Sequence, residues 1–232
     1  MTHTLILPGL HDSDPGHWQS RWEAVDDTSL RVIQDDWETP HCADWIARLD
    51  QALALTGPDT VLVAHSAACA LVAHWAVGDS SRGVRGALLV APSDPEAPSF
   101  PSGPRGFAPI PLLRLRFRSI VVASSNDPYV TLSRAQTFAM AWGSEFVMIG
   151  EAEHINSASS LGDWSEGLAL LNTLHKPAVE NLSGIGAQKQ LPKGRTYGSV
   201  PRSYSRAESR RSNGDVLRLR QPTNENHQRI HK

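Results

Sequence analysis

The stretch 59–78, DTVLVAHSAACALVAHWAVG, constrains this chain more than any other. It opens with Val61, Leu62, Val63 and Ala64, a short apolar run rich in β-branched residues. Such a run fits a strand buried on both faces of a parallel sheet. The chain then passes through His65-Ser66-Ala67-Ala68 into a segment free of Pro and Gly until Gly78. That segment is apolar on nearly every side and reads as a helix packed inside the protein. A serine at a sharp strand-to-helix turn is a nucleophile elbow, which lifts the hydroxyl above the sheet edge. It also aims the first free N–H groups of the helix at the same place, where they can stabilise an oxyanion. The usual form of the turn, G-x-S-x-G, carries Ala64 and Ala68 here in place of both glycines. A plain helix N-cap at Ser66 would look similar, so the rest of the chain has to decide.

Read in order, strands and helices alternate. Residues 4–7 form a strand that ends in the turn-rich Pro8-Gly9-Leu10-His11-Asp12-Ser13. A helix is expected over 16–25, from the spacing of Trp18, Trp22 and Val25, then a strand over 30–33. Ile46, Leu49 and Leu53 share a face of a helix over about 42–55, which Gly57-Pro58 ends. After the elbow come a strand over 86–91, a strand over 119–123, a helix over about 132–142, a strand over 146–149 and a helix over about 162–174. Alternation of this kind implies right-handed βαβ units and a mostly parallel sheet of about six strands, covered by helices on both faces. Residues 92–111 hold seven of the sixteen prolines. That density of missing donors predicts an extended loop, either a pocket rim or a surface connection.

Charge divides the chain. From Lys176 onward there are 12 Lys and Arg against 4 Asp and Glu, while residues 1–175 have 10 against 20. All seven Trp lie at or before Trp164. The expected organisation is an acidic α/β domain over 1–175 and a basic, low-complexity tail over 176–232 with the composition of disorder. The two cysteines, Cys42 and Cys69, make neither a disulfide framework nor a zinc motif, and no metal or cofactor is expected. No signal peptide or membrane-length apolar run is visible, so the expected placement is cytoplasmic, away from membranes.

In a parallel sheet, sites form beyond the carboxyl ends of the strands. Ser66, Asp127 and His154 each fall at such an end, in the order Ser, Asp, His of an α/β-hydrolase. The chemistry needs these residue types. A serine hydroxyl is a poor nucleophile until an imidazole takes its proton. The imidazole needs an anion on its other nitrogen to fix the tautomer and to stabilise its charged form. Asp94 and Glu96, after the fourth strand, are the runner-up acids. His65 and His74 lie on the elbow strand and its helix, and His11 and His17 border the first loop. The oxyanion donors expected by motif logic are the N–H of Ala67 and an N–H of the first loop, that of Leu10. His11 is a candidate to line the pocket. Trp18 and Trp75 either face the acyl pocket or belong to the core.

With these residues in hand, the chain resembles the small serine hydrolases of the retinoblastoma-binding-protein-9 type, including the YdeN-like bacterial proteins. The matching segments are LPGLHDSDPGHWQSRWE, QDDWETP, VLVAHSAACALVAHWA, ALLVAPSDPEAP, IVVASSNDPYV and GEAEHINSASSLGDW. The resemblance implies a compact α/β-hydrolase without a large cap domain and a triad on Ser66, Asp127 and His154. It departs at the elbow, where family members more often carry Gly or Leu-Gly after the serine and this chain has Ala67-Ala68, and the tail matches nothing in the family. The leading expectation is a metal-independent serine hydrolase of small carboxylic esters, acting through an acyl-enzyme. The alternative is a protein-binding module on a hydrolase scaffold, with weak or no catalysis. Nucleic-acid contact is conceivable only for the tail, through its Arg and Lys with Tyr197 and Tyr204.

Overall fold

Six strands hydrogen-bond side by side in the order β2-β1-β3-β4-β5-β6, and every neighbouring pair runs parallel. They come from a computed structural model that describes residues 2–78 and 83–176. The tail expected over 176–232 lies outside the described residues, Lys176 excepted. In chain order the elements are β1 (His3–Leu7), α1 (Trp18–Val25), β2 (Ser29–Arg31), α2 (Cys42–Thr56), β3 (Thr60–His65) and α3 (Ala67–Val77). They continue with β4 (Gly86–Val90), β5 (Arg118–Ala123), α4 (Leu132–Trp142), β6 (Glu145–Met148) and α5 (Ser165–His175).

Side-chain alternation along each strand builds two cores. Leu5, Leu7, Leu62, Ala64, Leu89 and Val121 face α2, α3 and α4. Ile6, Val61, Val63, Leu88, Val90 and Val122 face α1 and α5. Because both faces are covered, the central strands are apolar throughout rather than alternating, as their sequence suggested. Helix α3 is buried on all sides from Ala67 to Ala73, where every residue has 0–2% exposure. That explains a segment with no polar face.

Two helix starts differ from expectation. Helix α1 begins at Trp18, not residue 16, because the His17 ring accepts the N–H of Gln19 at 3.2 Å and caps the first turn. Helix α5 begins at Ser165, not residue 162. Gly162 and Trp164 both adopt positive φ (59° and 42°). This conformation sends the Trp164 indole into a cluster with Trp18 and Trp22, at centroid distances of 5.0 and 5.8 Å. Burial of the indole outweighs one more helical turn.

The proline-rich segment forms no helix or strand, and among the described residues no large cap domain rises above the sheet. It is nevertheless docked. Arg105 donates its N–H to the Pro40 carbonyl (2.8 Å) and accepts from Cys42 (2.9 Å). The His74 ring donates to the Phe107 carbonyl at 2.8 Å, and the Phe107 side chain is buried in the core. Among the described residues no helix is long and apolar enough to cross a membrane.

Candidate active site

The crevice of a parallel sheet opens where the strand order reverses, here between β1 and β3. Ser66 stands at the carboxyl end of β3 with φ 57° and ψ −125°. A non-glycine residue held there costs about 1–3 kcal/mol and persists only where its surroundings enforce it. Here they do. The preceding strand is wholly buried, and Ser66 donates its N–H to the Val90 carbonyl at 3.0 Å. Ala64 and Ala68, standing where glycines are usual, are fully buried. Gly9, just after β1, passes so close that a Cβ on it would lie 2.7 Å from the Ser66 Cβ and 3.1 Å from the His65 carbonyl oxygen. The first loop is therefore pressed against the elbow.

The structure brings Ser66, His154 and Asp127 together. Ser66 Oγ lies 2.8 Å from His154 Nε2. His154 Nδ1 lies 2.9 and 3.0 Å from the two oxygens of Asp127. The Asp127 side chain is completely buried and that of His154 nearly so. A carboxylate can only accept, so Nδ1 carries the proton and Nε2 accepts the Ser66 hydroxyl. The loops bearing the two partners are sewn together. Ser125 donates its N–H to Gly150 (2.8 Å), the Asn126 side chain accepts the N–H of Glu153 (2.7 Å), and Ser124 Oγ accepts that of Ala152 (2.9 Å). Asp127 also accepts the N–H of Tyr129 at 2.8 Å, so it is a turn-former as well.

Two further histidine rings pack in sequence against His154. The His65 ring donates to the His154 carbonyl at 2.9 Å, and the rings of His65 and His154 are 4.9 Å apart. His17 lies 4.8 Å from His65 on the other side. Burial holds the His65 ring well below the ordinary histidine range, with His154 and His17 pushing the same way. Burial likewise lowers His17 to about 4, against a smaller opposing pull from Asp14. The sign for stability follows. Between about pH 6.5 and about 4 the unfolded chain binds a proton at position 17 that the folded chain refuses. The stabilisation is complete above pH 6.5 and is lost on acidification, at about 1.4 kcal/mol per pH unit for one such group. Melting temperature should therefore fall from pH 7 to pH 5, and less steeply in a His17→Phe variant. An unaltered slope in that variant would acquit His17.

A cleft of about 430 Å³ opens over Ser66 and His154. Leu10 and His11 line it, as do Phe100 and Pro101, so the proline-rich segment contributes to the rim. The N–H of His11 is taken by the Trp37 carbonyl at 3.0 Å, whereas no acceptor among the described residues takes that of Leu10. Ala67 opens α3, where an N–H has no intrahelical partner.

Trp18 and Trp75 do not line the cleft; each is 1% exposed and belongs to the core. Both indoles instead spend their N–H on fixed acceptors: Trp18 donates to the Ile155 carbonyl (2.8 Å), beside His154, and Trp75 to Asp50 (2.9 Å). Asp94 and Glu96 are both held by Arg134 and stay away from His154. Sequence reasoning passed over Ser93 and Tyr129. Ser93 Oγ lies 2.8 Å from Ser66 Oγ, and the Tyr129 ring packs edge-on 4.6 Å from His154. Ser93 gave one signal, its place just past the end of a buried strand. Among the described residues, no group of three or more His, Cys, Asp or Glu could hold a metal ion.

The model of the serine hydrolase family matches residues 4–173. The chain belongs to the serine hydrolase family. A YdeN-like protein of Pectobacterium atrosepticum shares 32% identity and a TM-score of 0.66, over 75% of this chain and 91% of that one. The ydeN gene product of B. subtilis is 16% identical with a TM-score of 0.59, over 75% and 98%. A thermophilic esterase from Thermogutta terrifontis is 16% identical with a TM-score of 0.56, over 76% and 91%. These last two share the fold. No curated protein matches the chain. This member of the serine hydrolase family thus has an α/β-hydrolase fold with a six-stranded parallel sheet and, among the described residues, no large cap.

Proposed function

We propose that this serine hydrolase cleaves small carboxylic esters through a Ser66–His154–Asp127 triad and an acyl-enzyme. The observation that carries the reading is the unbroken relay of 2.8 and 2.9 Å from Ser66 Oγ through the His154 ring to a buried carboxylate. Ser66 Oγ attacks the ester carbonyl carbon as its proton passes to Nε2. Charge develops on the carbonyl oxygen, where the N–H groups of Leu10 and Ala67 receive it. Each such donor is worth about 10²–10³ in rate. Collapse expels the alcohol, which leaves with the proton from Nε2. Water then attacks the acyl carbon with Nε2 as base, and the carboxylic acid departs. A cleft of about 430 Å³ suits a short acyl group. The esterase activity named for the Thermogutta relative agrees with an ester substrate.

Labelling by a fluorophosphonate, with turnover of a series of p-nitrophenyl esters, tests this. The expected result is labelling of the native chain, none in Ser66→Ala, and a rate that falls as the acyl chain lengthens. A folded native chain that neither labels nor turns over ester would overturn the reading and favour a protein-binding module on the same scaffold.

A further inference from the structure

Two adjacent strands each end by presenting a serine to the same point. Ser66 follows β3 on its left-handed turn. Ser93 follows β4 after Ala91, which is also left-handed at φ 48°. Ala91 donates its N–H to the Val122 carbonyl at 2.8 Å. On the other side, Asp94 donates to the Tyr129 carbonyl at 3.2 Å, and its carboxylate is held by Arg134 at 3.0 Å. Ser93 is thus clamped before and after, and it is 5% exposed with its Oγ at 2.8 Å from Ser66 Oγ.

The proton inventory fixes the direction of that bond. Ser66 has one hydroxyl hydrogen, and His154 Nε2 takes it. The contact between the serines must then be Ser93 donating to Ser66. We propose that Ser93 is a further catalytic residue, whose hydroxyl assists departure of Ser66 Oγ when the acyl-enzyme is hydrolysed. The proposal rests on the serine hydrolase reading above.

The effect differs between the two halves of the reaction, because only bonds that strengthen on the way to a transition state accelerate it. Before acylation Oγ is a hydroxyl oxygen and already a good acceptor for Ser93. The bond therefore exists in the ground state and lowers that barrier little. In the acyl-enzyme, Oγ is an ester oxygen whose lone pair is delocalised into the carbonyl, and it accepts weakly. During deacylation water bonds to the acyl carbon and gives a proton to Nε2. The C–Oγ bond then breaks, its electron pair moves to Oγ, and the proton on Nε2 follows. Oγ changes from a weak acceptor into one bearing charge, and the Ser93 hydrogen bond strengthens with it. Ser93 keeps its own proton throughout.

The test is pre-steady-state hydrolysis of p-nitrophenyl acetate, with intact mass and fluorophosphonate labelling, on the native chain, Ser93→Ala, Ser93→Cys and Ser93→Thr. Steady-state kcat should fall about tenfold to a hundredfold in Ser93→Ala, the range of a charge-assisted hydrogen bond. Acetylated protein should accumulate, while the labelling rate changes less than about threefold, since labelling reports only attack by Ser66. Ser93→Cys, close to serine in volume and a weak donor, should reproduce the loss, and Ser93→Thr should restore turnover. Equal losses of labelling and turnover, or no accumulation of acyl-enzyme in either donor-deficient variant, would overturn the proposal. Failure of the broader reading shows separately, as a native chain that does not label at all.

Discussion

Replacing Asp127 by Asn is expected to lower kcat for an ester about 10³–10⁴-fold, with little change in KM or melting temperature. The side chain is fully buried and accepts from both His154 Nδ1 and the Tyr129 N–H. An amide of the same shape can keep the Tyr129 bond through its oxygen. Its NH₂ then faces Nδ1 and donates to it, which moves the ring proton to Nε2. A protonated Nε2 cannot take the proton of Ser66, so the relay stops although every heavy atom stays in place. The measurement is kcat at saturating substrate beside a thermal melt of the same sample. A loss smaller than tenfold would mean that Asp127 does not set the tautomer of His154.

The second large effect comes from a methyl group. Gly9→Ala is expected to reduce kcat/KM about 10²–10³-fold, the worth of one misplaced oxyanion donor. The nearest atoms to the new Cβ are a Cβ and a backbone carbonyl oxygen, which no side-chain rotation moves aside. It would meet the Ser66 Cβ at 2.7 Å and the His65 carbonyl at 3.1 Å, where the buried strand β3 ends and the elbow begins. The strain moves either the first loop, and Leu10 with it, or Ser66. Gly83→Ala is the control, because a Cβ at Gly83 has no neighbour within 4 Å. Equal activity of the two variants would show that the close approach at Gly9 is not used in catalysis.

How much of this was legible beforehand depended on whether the determining interaction was local. The strands β3, β4 and β5 announced themselves as unbroken apolar runs because both their faces are covered. The all-apolar sequence of α3 matched its burial for the same reason. Helix ends were less legible. The start of α5 was decided by the Trp164 indole, which joins Trp18 and Trp22 from a distant part of the chain. No local pattern carries that information. Trp18 and Trp75 remained ambiguous in sequence because a buried tryptophan and a pocket tryptophan have the same apolar body. Their 1% exposure separated the cases, with Ile155 and Asp50 placed to take their N–H groups.

By itself the sequence determined the alternation of strands and helices, the strained serine turn and the three strand ends that carry Ser66, Asp127 and His154. Those features are written in spacing and residue type, which act over a few residues. The tertiary structure alone decided which strand ends lie side by side. Pairing of β3 with β4 set Ser93 against Ser66, pairing of β1 with β3 pressed Gly9 onto the elbow, and pairing of β5 with β6 joined Asp127 to His154. Such contacts link residues 27 to 88 positions apart. Their geometry is fixed by the order of the sheet and by burial on both its faces.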